Sequence, residues 1–285
     1  MRFRFIAAEK AGISVQRACE LMEVSPSGYY AALERPVSQK AREDMTLLAH
    51  IRAAFAQSNE TYGSPRMVHE LRAAGFTVGR RRIARLMRED GLQARIKRRF
   101  KCTTDSAHSH PVASNHLARA FTPEARNTCW AVDMSYIWTK EGWLYLAIVM
   151  DLYSRRIVGW SAGPRMKTAL PLEALNRAIA LRRPPPGLMH HSDRGSQYCA
   201  YEYRDRLSDI GAVPSMSGKG NCYDNAVVET FFKTLKSELV WRVTFHTRQQ
   251  ALSEIGQYID GFYNPVRRHS ACAYTSPIKY ETMNN

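Results

Sequence analysis

The fold is decided by a stretch rich in β-forming residues, Trp130-Ala131-Val132-Asp133-Met134-Ser135-Tyr136-Ile137-Trp138. Apolar and polar side chains alternate in it, which predicts a strand with one buried face. The stretch contains an acid at its centre, Asp133. A carboxylate that is buried without a partner in an apolar strand is strongly destabilising, so we expect Asp133 to have a partner or a metal.

The sequence that follows this stretch predicts further strands and several helices. Strands are predicted over residues 143–152, 156–162, 188–191 and 212–216, and helices over residues 167–182, 200–210, 225–239 and 249–263. The first three strands are separated by short gaps, which indicates an antiparallel meander. The whole order predicts an α/β fold in which a mixed five-stranded sheet is flanked by helices.

The first hundred residues are predicted to be all-α, with two helix-turn-helix-like units over residues 15–33 and 64–87. In the first unit, Ser25 suits the position that caps a helix, and Pro26 suits its first turn. In the second unit, apolar residues recur at helical spacing and arginines occupy the other faces. The predicted DNA contacts of this region are Arg80, Arg81, Arg82, Arg85, Lys97, Arg98 and Arg99. The alternative is a small helical bundle with a solvated basic face.

These patterns divide the chain into three predicted regions. A helical, helix-turn-helix-like DNA-binding region covers residues 1–101, a linker covers residues 102–126, and the mixed-sheet domain with a C-terminal helical extension covers residues 127–285. The linker is rich in Ser, His, Pro and Ala and has no clear periodicity.

Charge and composition narrow the class of protein. The 285 residues include 41 Lys and Arg but 26 Asp and Glu, so the net charge is +15, which is typical of proteins that bind nucleic acid. A hydrophobic content of 45% excludes wholesale disorder. No apolar run reaches the roughly 18 residues of a membrane span. Six scattered cysteines without a Cys-x-x-Cys pair are expected to be reduced thiols, which suits the cytoplasm.

Two further acids join Asp133 as candidates for chemistry. Asp193 ends the predicted fourth strand, and Glu229 shares a helical stripe with Lys233 and Lys236. Three carboxylates without a matching set of thiols or imidazoles favour hard cations such as Mg²⁺ or Mn²⁺. Two such ions, about 4 Å apart, can flank a scissile phosphate. We therefore predict a catalytic and metal-binding triad of Asp133, Asp193 and Glu229, with Lys233 and Lys236 on the DNA backbone.

Each member of this triad also has a structural interpretation. Asp133 is alternatively an ion-paired core residue, and Asp193 a capping residue. Glu229 is alternatively half of an exposed ion pair with Lys233.

Other polar residues compete for the same roles. Asp224 is a rival metal ligand, but it is better interpreted as the N-cap of the helix that carries Glu229. Asp151 is a second rival, for which an ion pair with the arginines at 155 and 156 is the better interpretation. His190 and His191 either orient the loop of Asp193 or pack in the core.

Several motifs resemble the insertion-sequence transposases of the IS-three family, and specifically their downstream reading-frame product, OrfB. The motifs are Cys129-Trp130-Ala131-Val132-Asp133, Asp151-Leu152-Tyr153-Ser154-Arg155-Arg156, His190-His191-Ser192-Asp193-Arg194-Gly195-Ser196-Gln197-Tyr198, Tyr223-Asp224-Asn225-Ala226-Val227-Val228-Glu229 and Tyr263-Asn264 with Arg267. The resemblance extends to Ser27-Gly28-Tyr29-Tyr30 near the N-terminus and covers nearly the whole chain.

The resemblance implies a ribonuclease-H-like fold and a DDE triad, which Asp133, Asp193 and Glu229 match. Thirty-five residues separate Asp193 from Glu229, the spacing shared with retroviral integrases. Lys236 matches the family's basic position. One departure is Cys272-Ala273, where the family usually has Leu-Gly.

The expected function is metal-dependent DNA cleavage and strand transfer at the ends of a bacterial insertion sequence. The expected partners are the terminal inverted repeats and target DNA, the upstream product OrfA or an OrfA–OrfB fusion, and further copies of this chain on DNA. The expected location is the bacterial cytoplasm, at the nucleoid. The alternatives are a non-catalytic DNA-binding regulator of the same fold and a metal-dependent nuclease without strand transfer.

Overall fold

Five strands form one mixed sheet, as the sequence predicted. They are β1 (Cys129–Thr139), β2 (Gly142–Asp151), β3 (Ile157–Gly163), β4 (Met189–Ser192) and β5 (Val213–Met216), in the order β3-β2-β1-β4-β5. β2 pairs antiparallel with both β1 and β3, whereas β4 pairs parallel with β1 and with β5. Short connections produce the antiparallel meander, and helical connections return the later strands in parallel.

The computed structural model describes residues 2–9, 12–94, 113–218 and 222–284. The α-helices in these ranges are α1 (Arg2–Glu9), α2 (Val15–Leu21), α3 (Pro26–Glu34), α4 (Gln39–Gln57), α5 (Ser64–Ala73), α6 (Arg80–Glu89), α7 (Ala169–Arg182), α8 (Ser196–Cys199), α9 (Tyr201–Asp209), α10 (Ala226–Glu238), α11 (Arg248–Gly256) and α12 (Pro277–Met283). None of the helices in the described ranges is long and apolar enough to cross a bilayer.

The sheet is buried on both faces, which is why its central strands are almost continuously apolar. One core contains side chains of β1 and β2 with those of α10, α11 and the segment that follows α11. The other core contains the alternate side chains of β1 and β2 with those of α7, α8 and α9. The predicted α/β architecture, a mixed sheet flanked by helices, is therefore confirmed.

The helix predicted over residues 249–263 consists of two parts. α11 ends at Gly256, and a π-helical segment covers Gln257–Tyr263. The segment ends with a bond from Asn264 N–H to the carbonyl of Ile259, at 3.0 Å. The wider turn lets four residues of the segment be buried in the core together, namely Tyr258, Ile259, Phe262 and Tyr263.

The chain divides into two compact units, Met1–Ala53 and Ala54–Asn285. In the first unit, Ile6, Cys19 and Tyr29 form a small core. Ser25 caps α3 by accepting a bond from Gly28 N–H at 3.1 Å, and Pro26 occupies its first turn, as predicted.

The two predicted helix-turn-helix-like regions fall in different units, since α5 and α6 belong to the second. Within the predicted linker, residues 113–126 are described, and Leu117 in this segment is buried in the core of the sheet. The predicted boundary between residues 101 and 102 lies outside the described residues, so the three-part division stays a prediction.

Gly159 on β3 permits the close packing of α7 against the sheet. A Cβ at this position would lie 2.2 Å from the carbonyl oxygen of Ala174 and 2.8 Å from the backbone nitrogen of Ala178. Both atoms belong to the backbone of α7, so a side-chain rotation cannot relieve the clash.

We expect Gly159→Ala to lower the free energy of unfolding by about 3 kcal/mol, because α7 must move away from β3. Urea unfolding of the full chain measures the change. Gly163→Ala is the matched control on the same strand, since its Cβ would meet only the side chain of Leu170 at 3.5 Å. Equal stabilities of the two variants would contradict the proposed packing constraint.

Candidate active site

Asp133 and Asp193 are brought together by the parallel pairing of β1 with β4. Ala131 is the register partner of His191. Two residues further along each strand, the same register places Asp133 level with Asp193, although β4 itself ends at Ser192. Neighbouring strands lie about 4.8 Å apart, so the two carboxylates project from adjacent backbone positions.

Glu229 is added to this pair by the first turn of α10. Asn225 begins the helix, and its Nδ2 donates a hydrogen bond to the carbonyl oxygen of Val132 at 3.0 Å. Val132 directly precedes Asp133. The contact therefore attaches the start of α10 to β1 one residue from Asp133, and Glu229 follows one helical turn later.

Electrostatic repulsion links the three carboxylates. Burial raises the pKa of Asp133 well above its ordinary value of 3.8, and the charges of Asp193 and Glu229 raise it further. A hydrogen bond from Met134 N–H to Asp133 Oδ1, at 2.7 Å, and the positive charge of Lys236 lower the same pKa. The charges of the other two predicted acids thus both act on Asp133.

The loop that carries Asp193 is fixed by short hydrogen bonds. Gly195 N–H donates to Asp193 Oδ1 at 2.9 Å, and Arg194 Nε donates to the carbonyl oxygen of Ser217 at 2.7 Å. A Cβ at Gly195 would lie 3.0 Å from Asp193 Oδ1 and 3.1 Å from Gln197 Oε1, so only glycine fits without displacing the carboxylate. Asp193 thus closes a local turn, but it does not cap the helix that follows, because the N-cap of α8 is Gly195 and no side chain caps that helix.

The two lysines of α10 occupy different surroundings. Lys233 Nζ lies 3.0 Å from Glu229 Oε2, so the alternative ion pair of Glu229 is present. Lys236 Nζ lies 4.9 Å from the ring centre of Tyr136. Burial lowers the pKa of Lys236, and the charge of Asp133 raises it. The positive charge of Lys236 thus acts on Asp133, whose pKa it lowers.

Tyr198 and Asn225 are two residues of the site to which the sequence assigned no role. The Tyr198 hydroxyl is buried and has no hydrogen-bond partner among the described residues. Burial raises the pKa of Tyr198, and the charges of Asp133 and Asp193 raise it further. Both residues lie within the motifs quoted above, and that position is their only signal in the sequence.

His190 and His191 are neutral residues of the protein interior. His190 Nε2 lies 2.9 Å from the Tyr203 hydroxyl, and His191 Nδ1 lies 2.9 Å from Ser215 Oγ. Burial lowers the pKa of His190 to about 3 and that of His191 to about 4. Of the two predicted roles, packing in the core is the one these contacts support.

The prediction that Asp224 caps α10 is wrong. Asp224 Oδ2 accepts bonds from Gly218 N–H and Asn115 Nδ2, both at 2.9 Å, and Asp224 Oδ1 lies 3.1 Å from Arg119 Nε. A short 3-10 helix over Cys222–Asn225 precedes α10 and turns Asp224 away from its first N–H groups. Asp224 therefore links the segment before β1 to the segment that follows β5.

The prediction that Asp151 pairs with the following arginines is also wrong. Its carboxylate accepts bonds from the N–H groups of Asn127 and Tyr153, at 2.9 and 3.0 Å. Arg156 NH1 instead lies 2.8 Å from Glu281 Oε2. The tight turn after β2 directs the Asp151 carboxylate at the backbone, where N–H donors satisfy it.

The basic helix α6 lies on a module that is fastened to the sheet domain through α5. Arg268 Nε lies 2.5 Å from Glu70 Oε2, and the rings of His69 and Tyr274 stack at 3.9 Å. On α6, Arg80 and Arg81 are exposed, Arg82 and Arg85 are half-buried, and Arg85 NH1 lies 2.8 Å from Glu89 Oε2. Lys97, Arg98 and Arg99 lie outside the described residues.

The donor set suits a hard divalent cation. Asp133, Asp193 and Glu229 offer only oxygen ligands, and a cation among them would offset the repulsion that raises the pKa of Asp133. In the described ranges, no three His, Cys, Asp or Glu side chains are arranged so that they could together hold a metal ion. The predicted metal site therefore stays a prediction.

The mixed sheet and the helix-turn-helix-like region are those of a DNA-recombining protein with an integrase-type core. Models described as "Integrase core domain" match residues 123–222 and 229–284, and a model described as "HTH-like domain" matches residues 42–100. The chain belongs to the IS-three family of insertion-sequence transposases. Its functional class is DNA transposition.

Two relatives carry this assignment. The chain is 46% identical to the insertion element IS600 uncharacterized 31 kDa protein of Shigella sonnei, over 92% of this chain and 96% of that protein. It is 38% identical to transposase InsF for insertion sequence IS3A of Escherichia coli, over 100% of this chain and 99% of that protein.

Two solved structures are also similar. One is a simian T-cell lymphotropic virus intasome in complex with PP2A regulatory subunit B56 gamma, at 18% identity, TM-score 0.47, and 62% and 60% coverage of this chain and that chain. The other is the HTLV-2 integrase catalytic core domain in complex with magnesium, at 15% identity, TM-score 0.44, and 55% and 98% coverage.

The far end of α10 is held by a buried ion pair. Arg267 NH2 and Nε lie 2.7 and 2.8 Å from the two oxygens of Glu238, and the Tyr258 hydroxyl donates to Glu238 at 2.7 Å. Burial alone would raise the pKa of Glu238, but these hydrogen bonds bring it below its ordinary value of 4.5. α10 is thus attached at both ends, with Glu229 between them.

We expect Glu238→Gln to lower the free energy of unfolding by about 3 kcal/mol at neutral pH, because buried Arg267 loses its counter-charge. Since the folded-state pKa is below 4.5, this stabilisation is present above about pH 4.5 and is lost as the pH falls through the folded-state value. Urea unfolding at a series of pH values should show the difference from wild type shrinking in acid.

The control for this experiment is Glu173→Gln, which removes an exposed ion pair with Arg177 on α7. Its effect should stay within about 0.5 kcal/mol at every pH. A Glu238→Gln penalty that did not depend on pH would contradict the lowered pKa.

Proposed function

We propose that this chain cleaves DNA at the ends of a bacterial insertion sequence and joins the exposed 3′-OH to target DNA. In this proposal Asp133, Asp193 and Glu229 bind two divalent ions, Mg²⁺ or Mn²⁺. The observation that carries it is the parallel register of β1 with β4, which brings Asp133 level with Asp193 in a chain that matches the integrase core domain. Carboxylates held together against repulsion suit cation binding, since the cation supplies the missing charge.

Bound there, divalent ions would activate the attacking oxygen and neutralise the leaving oxygen. The chain's own residues orient this chemistry. Met134 N–H fixes Asp133, and Gly195 N–H fixes Asp193. Lys236 places a positive charge beside Asp133, where it would hold a backbone phosphate. The reaction proceeds without a covalent protein–DNA intermediate, so no Ser or Tyr nucleophile is assigned.

DNA binding is proposed to involve α6 and the segment that follows it. α6 is the second helix of its helix-turn-helix-like unit, the position from which such proteins enter the major groove. Its buried residues Ile83, Leu86 and Met87 face the module's interior. The proposed contacts are Arg80, Arg81, Arg82 and Arg85, joined by Lys97, Arg98, Arg99 and, near the acids, Lys233.

The proposed partners follow from the same role. They are the terminal inverted repeats of the element, target DNA, OrfA or an OrfA–OrfB fusion, and further copies of this chain assembled on DNA. The proposed place of action is the bacterial nucleoid.

We expect Asp133→Asn, Asp193→Asn and Glu229→Gln each to lower cleavage and joining on the order of 1,000-fold, because each removes a charged ligand from the transition state. Labelled element ends incubated with Mg²⁺ report nicked and joined products. Binding to the same DNA should not weaken, because affinity depends mainly on Lys and Arg. Cleavage near the wild-type rate in any of the three variants would remove that residue from the triad.

Two controls accompany these variants. Asp209→Asn changes an exposed acid that pairs with Arg206 and should leave both products at wild-type levels. Without divalent ions, Asp133→Asn should be at least as stable to heat as wild type, since it relieves repulsion. Added Mg²⁺ should raise the melting temperature of wild type but not that of Asp133→Asn.

We expect Lys236→Ala to weaken binding to element ends by about 1–3 kcal/mol, because a charge-assisted phosphate contact is lost. Lys236→Glu should weaken it further by repelling the backbone. Titration of labelled end DNA measures both. Lys279→Ala on α12 is the matched exposed control. Unchanged affinity in Lys236→Glu would place this lysine away from the DNA.

A further inference from the structure

A cavity of about 350 Å³ lies between the β1–β2 hairpin and the segment that follows α10. Its lining combines large aromatic rings with two lysines. The residues that define this aromatic cradle are Tyr136, Trp138, Trp143, Trp241, Lys140 and Lys236.

The rings of the cradle are unusually accessible. Trp138 is 58% exposed, Trp143 43%, Trp241 41% and Tyr136 39%. Exposed apolar groups collected at one place on a protein surface mark a binding site, because water contact with them is unfavourable.

The cradle is already assembled before anything binds. Trp143 meets Trp138 edge to face at a centroid distance of 4.8 Å, and it meets Tyr136 in the same way at 5.0 Å. Both contacts are preferred aromatic geometries, so the rings support one another. A flat ligand would not have to order them.

The charge of the cradle selects a negatively charged ligand. Lys140 and Lys236 are among its lining residues, and the lining in the described part of the chain includes no acid. Lys236 belongs to α10, the helix that also carries Glu229, and its Nζ lies 4.9 Å from the Tyr136 ring centre. The ligand therefore offers flat apolar faces together with negative charge.

We propose that the aromatic cradle binds an unpaired nucleotide of the DNA substrate. This rests on the proposed function, which supplies the DNA. The base stacks on the exposed ring of Trp138, and its phosphate lies near Lys140 and Lys236. The nucleotide is unpaired because bases within a duplex have both faces covered by neighbouring bases. Trp138 lies about 17 Å from Asp133 along β1, so the bound nucleotide is several nucleotides away from the scissile phosphate.

The test compares two DNA ends on the full chain without divalent ions. One is a blunt duplex, and the other has the same sequence with a few unpaired terminal nucleotides. Trp138→Ala should lower affinity for the unpaired end about tenfold, the scale of one base stacked on an aromatic ring, and affinity for the blunt end less than twofold. Trp138→Phe should retain most of the affinity, because it keeps an aromatic face.

Tyr201→Ala is the matched control, since Tyr201 is 76% exposed and lies outside the cradle. It should bind both ends as wild type does. An equal loss on both ends, or no loss, in Trp138→Ala overturns the proposal. The proposal is also overturned if the wild-type chain forms a dimer without DNA and Trp138→Ala converts that dimer to a monomer. The cradle would then bind a second copy of the chain.

A fluorescence measurement on the wild-type chain tests the same proposal without depending on the folding of a variant. The fluorescent base 2-aminopurine at the unpaired position should be quenched on binding, while the same base within the duplex should change little. Absence of this difference overturns the proposal. Failure of the proposed function has a separate signature, because wild type would then cleave no DNA with Mg²⁺ while quenching still discriminates the two ends.

Discussion

The placement of Asp133, where burial and the charges of Asp193 and Glu229 all raise its pKa, is the constraint on which the candidate site depends. Parallel pairing of β4 with β1 sets Asp193 level with Asp133, and α10 adds Glu229. Such an arrangement opposes folding, so the surrounding contacts must fix it. Asn225 attaches one end of α10 to β1, and the pair of Glu238 with Arg267 attaches the other. Contacts at both ends of α10 thus fix the helix that carries Glu229.

Much of the fold could be predicted because its signals are local. Apolar content and short gaps identified the five strands, and Ser25 with Pro26 identified the start of α3. The π-helical segment Gln257–Tyr263 was missed, because its wider turn results from packing four large side chains against a distant sheet. α8, only four residues long, was also missed, since so short a helix has no periodicity.

The same distinction between local and long-range signals applies to the residues of the candidate site. The sequence could select Asp133, Asp193 and Glu229 by residue type, position and family motif. It could not assign Asn225, whose partner Val132 is distant in sequence, or Tyr198, whose pKa is raised by burial and by the charges of Asp133 and Asp193. It misassigned Asp224 for a related reason, since the capping rule considers only neighbours along the chain and Arg119 lies on another segment. The sequence shows which residues could take part in the chemistry. The contacts that position those residues can be identified only in the folded structure.

The attachment of α5 to the sheet domain has a geometrical consequence. Glu70 and His69 hold this helix against Arg268 and Tyr274. α6 packs on α5 and so takes up a set displacement from Asp133. A duplex gripped by α6 would then present its phosphates to the acids at a constant number of base pairs from the gripped sequence. On the proposed function, the distance from α6 to Asp133 would then set the cleavage position, without base recognition at the cut itself.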